Sequence, residues 1–354
     1  MLNIEVIISI FNIPCSFYLG DSSSNKKMYM RRSIVIGLIC TLAIVIVLLA
    51  VIPDSQVKDI TDTIRNGDGI EWPWQAPDTA LLPHTEEGDL IRYGRELVAH
   101  TAMYLGPKGT VAHISNGLNC QNCHLEAGTK PWGNNYSGVA SNYPKYRERS
   151  GMVESIEKKI NDCFERSMNG KVLDSTGREM LAMVAYMKWL GKEVKKGEKP
   201  LGIGVRSLEY LDRAADPVSG KIIYESKCLR CHGTNGEGLA DSLTGIGYTY
   251  PPLWGKHSYN IGASLHRLGK FAAFVKTNMP FDAKYEKERL TDGEAWDVAA
   301  FVNSMERPRL DLSKDWPDIK TKPADHPFGP FVDTFSEKQH KYGPFKAMEQ
   351  KGKK

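Results

Sequence analysis

The sequence predicts an all-α fold, with two helical domains of ~100 residues each behind one N-terminal transmembrane helix. Three observations predict it. An uncharged run, "SIVIGLICTLAIVIVLLAVI", fills Ser33–Ile52. Two copies of the pattern CxxCH follow, "CQNCH" at Cys120–His124 and "CLRCH" at Cys228–His232. Each copy lies between a helical pattern before it and another after it.

The chain has 354 residues, 41% of them hydrophobic and 25% charged, with a net charge of +4. That balance is ordinary for a globular protein, and the Lys and Arg residues are spread along the chain. Nothing in it calls for nucleic acid or an anionic surface as partner. No zinc, calcium, nucleotide or hydrolase motif stands out.

The apolar run has the ~20 residues that a helix needs to cross a bilayer. Lys26, Lys27, Arg31 and Arg32 precede it, and Asp54, Asp59 and Asp62 follow. The positive-inside rule then keeps 1–32 in the cytoplasm and exports everything after the 33–52 anchor. A cleaved signal peptide would have a shorter apolar core and a small-x-small site, which "LLAVIPDS" does not supply. The expected location is a bacterial inner membrane, crossed once, with the remaining domains in the periplasm. Met28 and Met30 are alternative starts.

In an exported chain CxxCH is the attachment pattern for c-type haem. The two thiols bond the porphyrin and the adjoining histidine becomes an axial ligand of the iron. A redox dithiol or half a zinc site would explain the cysteines but leave both following histidines to chance. The sequence therefore implies two covalently attached haem c groups, on Cys120, Cys123 and His124 and on Cys228, Cys231 and His232.

The flanking patterns supply the helices. Ahead of the first motif, "LIRYGRELVAHTAMYLG" sets Leu90, Tyr93, Leu97 and Thr101 on one side; ahead of the second stands "SGKIIYESKC". Behind them come "REMLAMVAYMKWLGKEV" and "TDGEAWDVAAFVNSM". A leading helix, the motif, loops and a closing helix across the first make the small cytochrome c plan. The domains read as 53–195 and 196–308, joined near "GKEVKKGEKPLGIGVR", with 309–354 an irregular strap.

Ligand type sets a haem's potential and function. In the second domain, "FVKTNMPF" offers Met279 as distal ligand. His257 is the competing ligand and His266 stands further behind, but both read rather as polar surface residues or propionate neighbours. The first domain has no Met–Pro pair, and Met168, Met180, Met183 and Met187 read as core. What remains is Cys163 in "KINDCFERSMNG". Val153, Ile156, Ile160, Cys163, Phe164 and Met168 recur at helical spacing, with Gly170 as end signal. Arg166 and Ser167, at i+3 and i+4, share a surface with Cys163. A lone buried cysteine is commonly inert; in a haem domain without another distal ligand, Cys163 reads as ligand or nucleophile.

"CQNCHLEAGTKPW", "YPKYRERSG", "INDCFERSMNGK" and "AMVAYMKWL" together resemble the dihaem thiosulfate dehydrogenases, relatives of the dihaem subunit of sulfur-oxidation cytochromes. The likeness runs from about residue 85 to 308. It implies His124/Cys163 ligation at the first haem and His232/Met279 at the second. It implies that two thiosulfates are joined to tetrathionate, or the reverse. Electrons would pass through the second haem to an external periplasmic or membrane-bound acceptor, another cytochrome. Ser167 matches the family's active-site serine and Arg149 the arginine of the "YRxR" stretch. Arg147, Arg166 and Lys130 are further candidates to offset the repulsion of two dianions. Two departures stand out. Asn278 precedes Met279 where some members carry an exchangeable lysine, and soluble members lack the anchor. The rival readings are a tethered dihaem electron carrier without its own substrate, an enzyme for another sulfur anion, and a dihaem peroxidase.

Overall fold

The computed structural model describes residues 73–352. The anchor expected at 33–52 lies outside the described residues. Among the described residues, no helix is long and apolar enough to cross a membrane.

Helix α1 spans Glu86–Ala99, starting where the Thr85 side chain accepts a hydrogen bond from the Gly88 N–H. Glu86, Glu87 and Asp89 fill its first turn, where the helix dipole favours negative charge. His100 interrupts the pattern, and a short helix, Thr101–Leu105, continues it. The buried Thr101 hydroxyl donates to the Leu97 carbonyl at 2.7 Å and accepts from the Cys120 N–H at 3.0 Å. The end of this helical stretch is thereby pinned to the first CxxCH motif.

Helix α2 is Ile156–Arg166 and α3 is Arg178–Leu190. In the second lobe α4 is Pro217–Lys227, α5 Leu268–Asn278 and α6 Asp292–Ser304. A capping box between Thr291 and Glu294 starts α6. Helices α1 and α3 cross closely in the first lobe, and α4 and α6 do so in the second. One glycine permits each crossing. A Cβ on Gly94 would strike the Ala182 carbonyl oxygen, and one on Gly220 would strike that of Asp297.

Two cores result. Leu97, Leu105, Met180, Met183, Tyr186 and Leu190 anchor the first, and Tyr224, Phe271, Trp296, Val298 and Phe301 anchor the second. Each such fully buried side chain contributes about 1.5–3 kcal/mol relative to exposure. The four methionines read as core, Met168, Met180, Met183 and Met187, are all buried in the first of these.

The architecture departs from a purely α reading in two places. Strands β1 (Lys145–Arg147) and β2 (Met152–Glu154) pair antiparallel, as do β3 (Leu239–Ala240) and β4 (Tyr248–Tyr250). Val153, assigned by its spacing to the Cys163 helix, therefore lies on β2 and is exposed. Gly151, at φ +67, turns the first hairpin, and Ser155 caps α2 only afterwards. The helix also ends before Met168. Asn169 takes a left-handed φ of +41, and the Gly170 N–H bonds the Phe164 carbonyl at 2.9 Å.

Where the tail reads as an irregular strap, the chain beyond residue 336 forms α7 (Glu337–Tyr342) and α8 (Lys346–Gly352). Phe345 and Met348 bury themselves in the second core, which supplies the reason for order. Both lobes and the strap belong to one compact unit.

Candidate functional site

The first CxxCH motif sits in a short 3-10 turn, Cys120–Asn122, with His124 just beyond. The Asn134 carbonyl accepts from His124 Nδ1 at 2.5 Å. A carbonyl can only accept, so Nδ1 carries the proton and Nε2 keeps its lone pair. Tyr136 stacks on the ring, centroids 4.5 Å apart, and holds its plane.

Cys163, carried on α2, comes near enough to His124 for the imidazole to act on its thiol. Burial pushes the Cys163 thiol up, but Lys159 one turn earlier and the His124 contact outweigh it, leaving the thiol at about 7. Cys120 and Cys123 are half-buried close by, and desolvation pushes both up to about 12. An imidazole lone pair, two attachment thiols and a facing thiol form the donor set that a covalently held haem with two axial ligands requires.

The second motif forms its own site. His232 is buried, and its Nδ1 donates to the Pro251 carbonyl at 2.9 Å, which again leaves Nε2 free. Desolvation holds the imidazole below its ordinary pKa and keeps it neutral, as a ligand must be. A largely apolar cavity of about 390 Å³ opens beside Cys228, Cys231 and His232, with Met279 at the end of α5 on its wall. Tyr224, Phe274 and Val302 complete an apolar lining suited to a porphyrin. Cys123 and Leu125 of the first motif's loop line the same cavity, so the two haem-attachment loops share a wall.

Around Cys163 the expected cations are only partly brought together. Arg149 is largely buried, 3.4 Å from Asp162 and near the Gly262 carbonyl. Burial and the neighbouring Arg166 guanidinium draw its pKa down. Arg166 holds Asp315 through two hydrogen bonds, at 2.8 and 2.7 Å, so much of its charge is matched. Arg147 lies on β1, 4.0 Å from the buried Glu154 carboxylate. The Ser167 N–H continues the helical ladder to the Cys163 carbonyl, placing its side chain at the helix end. Lys130 is not brought there; its ammonium points to the Ala283 carbonyl of the other lobe. The surface reading of His266 also fails, because it is only 6% exposed.

Several participants escaped the sequence reading. Lys159 stands four residues before Cys163, and helical periodicity could have found it. Asn260 could not have been found that way. It comes from the second lobe, is fully buried, and caps the α2 end through the Glu165 and Arg166 carbonyls, at 2.8 and 3.1 Å. Asp315 and Trp316 come from the strap, and the Trp316 N–H bonds the Arg149 carbonyl at 2.7 Å.

Two CxxCH loops on crossed-helix lobes, each with a second donor across from its histidine or on its cavity wall, define a dihaem c-type cytochrome, and the chain carries two covalent haem c groups. Residues 110–195 match the SoxA/TsdA cytochrome c domain and residues 218–306 match cytochrome c. Thiosulfate dehydrogenase of Allochromatium vinosum is 39% identical over 236 residues, 66% of this chain and 83% of that protein. The enzyme of that name from Stutzerimonas stutzeri is 34% identical over 75% of this chain and 82% of its own. The as-isolated thiosulfate dehydrogenase TsdBA of Marichromatium purpuratum superposes with a TM-score of 0.61 at 33% identity, over 67% of this chain and 50% of that one. The chain belongs to the thiosulfate dehydrogenase family and is an oxidoreductase.

Proposed function

We propose that the protein couples two thiosulfates into tetrathionate at Cys163 and sends the electrons through the second lobe to an external cytochrome. The observation that carries this reading is the approach of Cys163 to His124 of the first attachment motif, with Arg149 near the same thiol and Arg166 at the end of its helix. His124 and Cys163 would hold the first haem iron, and His232 and Met279 the second. The haems supply two one-electron acceptors for a two-electron oxidation.

The chain's own residues do the rest. The Cys163 thiolate and the outer sulfur of a first thiosulfate form an S–S bond, and two electrons depart. A second thiosulfate then attacks, through its own outer sulfur, the sulfane sulfur bonded to Cys163 Sγ. One S–S bond forms, the bond to Cys163 breaks, and tetrathionate leaves with the thiolate restored. Arg149 offsets the charge of the approaching dianions, and the Ser167 hydroxyl is available to donate to a sulfonate oxygen. The wall shared by the two attachment loops supports electron passage between the sites. A carrier without substrate leaves the family membership unexplained.

The anchor read at 33–52 and the covalent haem chemistry support a tethered periplasmic location. Mixing the oxidised, haem-loaded protein with thiosulfate under anaerobic conditions tests the reaction. Haem reduction with release of tetrathionate, both lost in Cys163→Ser, is the expected result. A variant that still forms tetrathionate at the parent rate would end the role given to Cys163.

A further inference from the structure

Arg307 is a buried arginine to which the reaction above gives no role. It follows α6 closely and is only 8% exposed. Its guanidinium donates to the Leu253 and Val302 carbonyls, at 3.2 and 2.7 Å, and lies 4.3 Å from the centre of the Tyr259 ring. Leu253, Val302 and Tyr259 all line the apolar cavity beside Cys228, Cys231 and His232, while Arg307 itself does not. A full positive charge therefore stands behind the wall of the second haem site.

Among the described residues Arg307 has no carboxylate partner, unlike the buried or half-buried Arg149, Arg166 and Arg267. Two carbonyls, an aromatic face and the C-terminal end of α6 stabilise such a charge without cancelling it. Its Nε is buried with no hydrogen-bond partner, so the charge acts on the cavity through space rather than by contact. Burying an uncompensated cation is costly. The other charges bordering the cavity are better screened, because Lys227 is paired with Glu294 and Glu126 is exposed. The field of Arg307 is also felt elsewhere in the second lobe. Burial holds the His266 imidazole near 3, and the neighbouring guanidinium adds to that shift.

We propose that Arg307 is a positioning residue that acts through the second haem, as a fixed buried cation that raises that haem's reduction potential and so draws electrons from the first. Reduction adds one negative charge to a haem, and a cation across a dry protein wall favours the reduced form. The inference rests on the electron route proposed above and not on the sulfur chemistry, since the potentials are read with no substrate present.

Arg307→Met removes the charge and keeps a long unbranched chain, whereas Arg307→Lys keeps the charge. Ser258→Asp leaves Arg307 in place and brings a carboxylate to a site whose hydroxyl lies 3.5 Å from the guanidinium. Denaturation midpoints verify that each variant folds. Redox titration of the haem-loaded protein at pH 8, following the two haems by their separate spectra, reads the effect. The expected result for Arg307→Met and for Ser258→Asp is a tenfold or larger fall in the second haem's reduction equilibrium, about 59 mV for one electron. The first haem should fall by less, and Arg307→Lys should stay close to the parent. An unaltered second haem in either folded charge variant overturns the inference, as does a larger fall at the first haem. A lysine variant that falls as far as the methionine one also overturns it, because packing and not charge would then set the potential. If Arg307→Met does not fold, Ser258→Asp decides. If the potentials move as expected but the parent protein never oxidises thiosulfate, the role of Arg307 stands and the assigned sulfur chemistry falls.

Discussion

Asp315 accepts two hydrogen bonds from Arg166, at 2.8 and 2.7 Å, across a separation of 149 residues. The pair ties the end of the Cys163 helix to the strap. Both side chains are largely buried, at 16% and 9% exposure, so neither charge is well solvated. Removing one partner strands the other.

Asp315→Ala should therefore destabilise the protein by about 3–5 kcal/mol, the usual effect of breaking a buried pair from one side. Asp315→Asn, which keeps one acceptor, should lose less. Denaturant titration of the haem-loaded protein reads both. A loss below about 1 kcal/mol would mean that Arg166 finds another partner or water.

Met279→Leu keeps an apolar side chain on the second cavity while removing the thioether. The second haem should lose its distal ligand and its potential should fall, since Met/His ligation raises it. The spectrum of the first haem should stay as it was. An unaltered second haem would show that another residue ligates that iron.

Gly94→Ala and Gly220→Ala test the helix crossings. At each, the new methyl meets a backbone carbonyl that has nowhere to move. The expected destabilisation is at least about 2–3 kcal/mol per site, with poor haem incorporation in the affected lobe alone. Tolerance of either change would show that the crossing is looser than the structure has it.

Stability should fall with acid below pH 6.5. Burial holds His326 near 4 and His266 near 3, while both titrate near 6.5 once unfolded. Between those limits the unfolded chain binds more protons, so stability is full above pH 6.5 and declines as pH drops. Each histidine adds a slope of about 1.4 kcal/mol per pH unit. In urea titrations from pH 7 to 4.5 without sulfur anions, His326→Gln should flatten the curve. An equal slope in the variant would assign the acid sensitivity elsewhere.

The haem-attachment residues were legible because covalent attachment demands a local pattern, readable without any fold. The Cys163 helix was legible in part. Its periodicity placed Cys163 and Phe164 on the inner side, but it also absorbed Val153, since a β hairpin and a helix turn can share short apolar spacing. Arg166 read as a free cation because its counter-charge lies far along the chain. His266 read as surface because one histidine among polar neighbours carries no burial signal of its own.

From residue order alone came the two haem-attachment motifs, the four helices, the expectation that Met279 and Cys163 act as ligands, and the family likeness. The motifs and the helices themselves rest on spacing within a few helical turns or on covalent chemistry. Only the tertiary structure brought Asn260 to the end of α2, Asp315 to Arg166, and His266 and Trp316 to a common cavity. Those meetings depend on how two lobes and a strap pack together, and packing is set by shape and buried area summed over the whole unit. No short stretch of sequence encodes that sum.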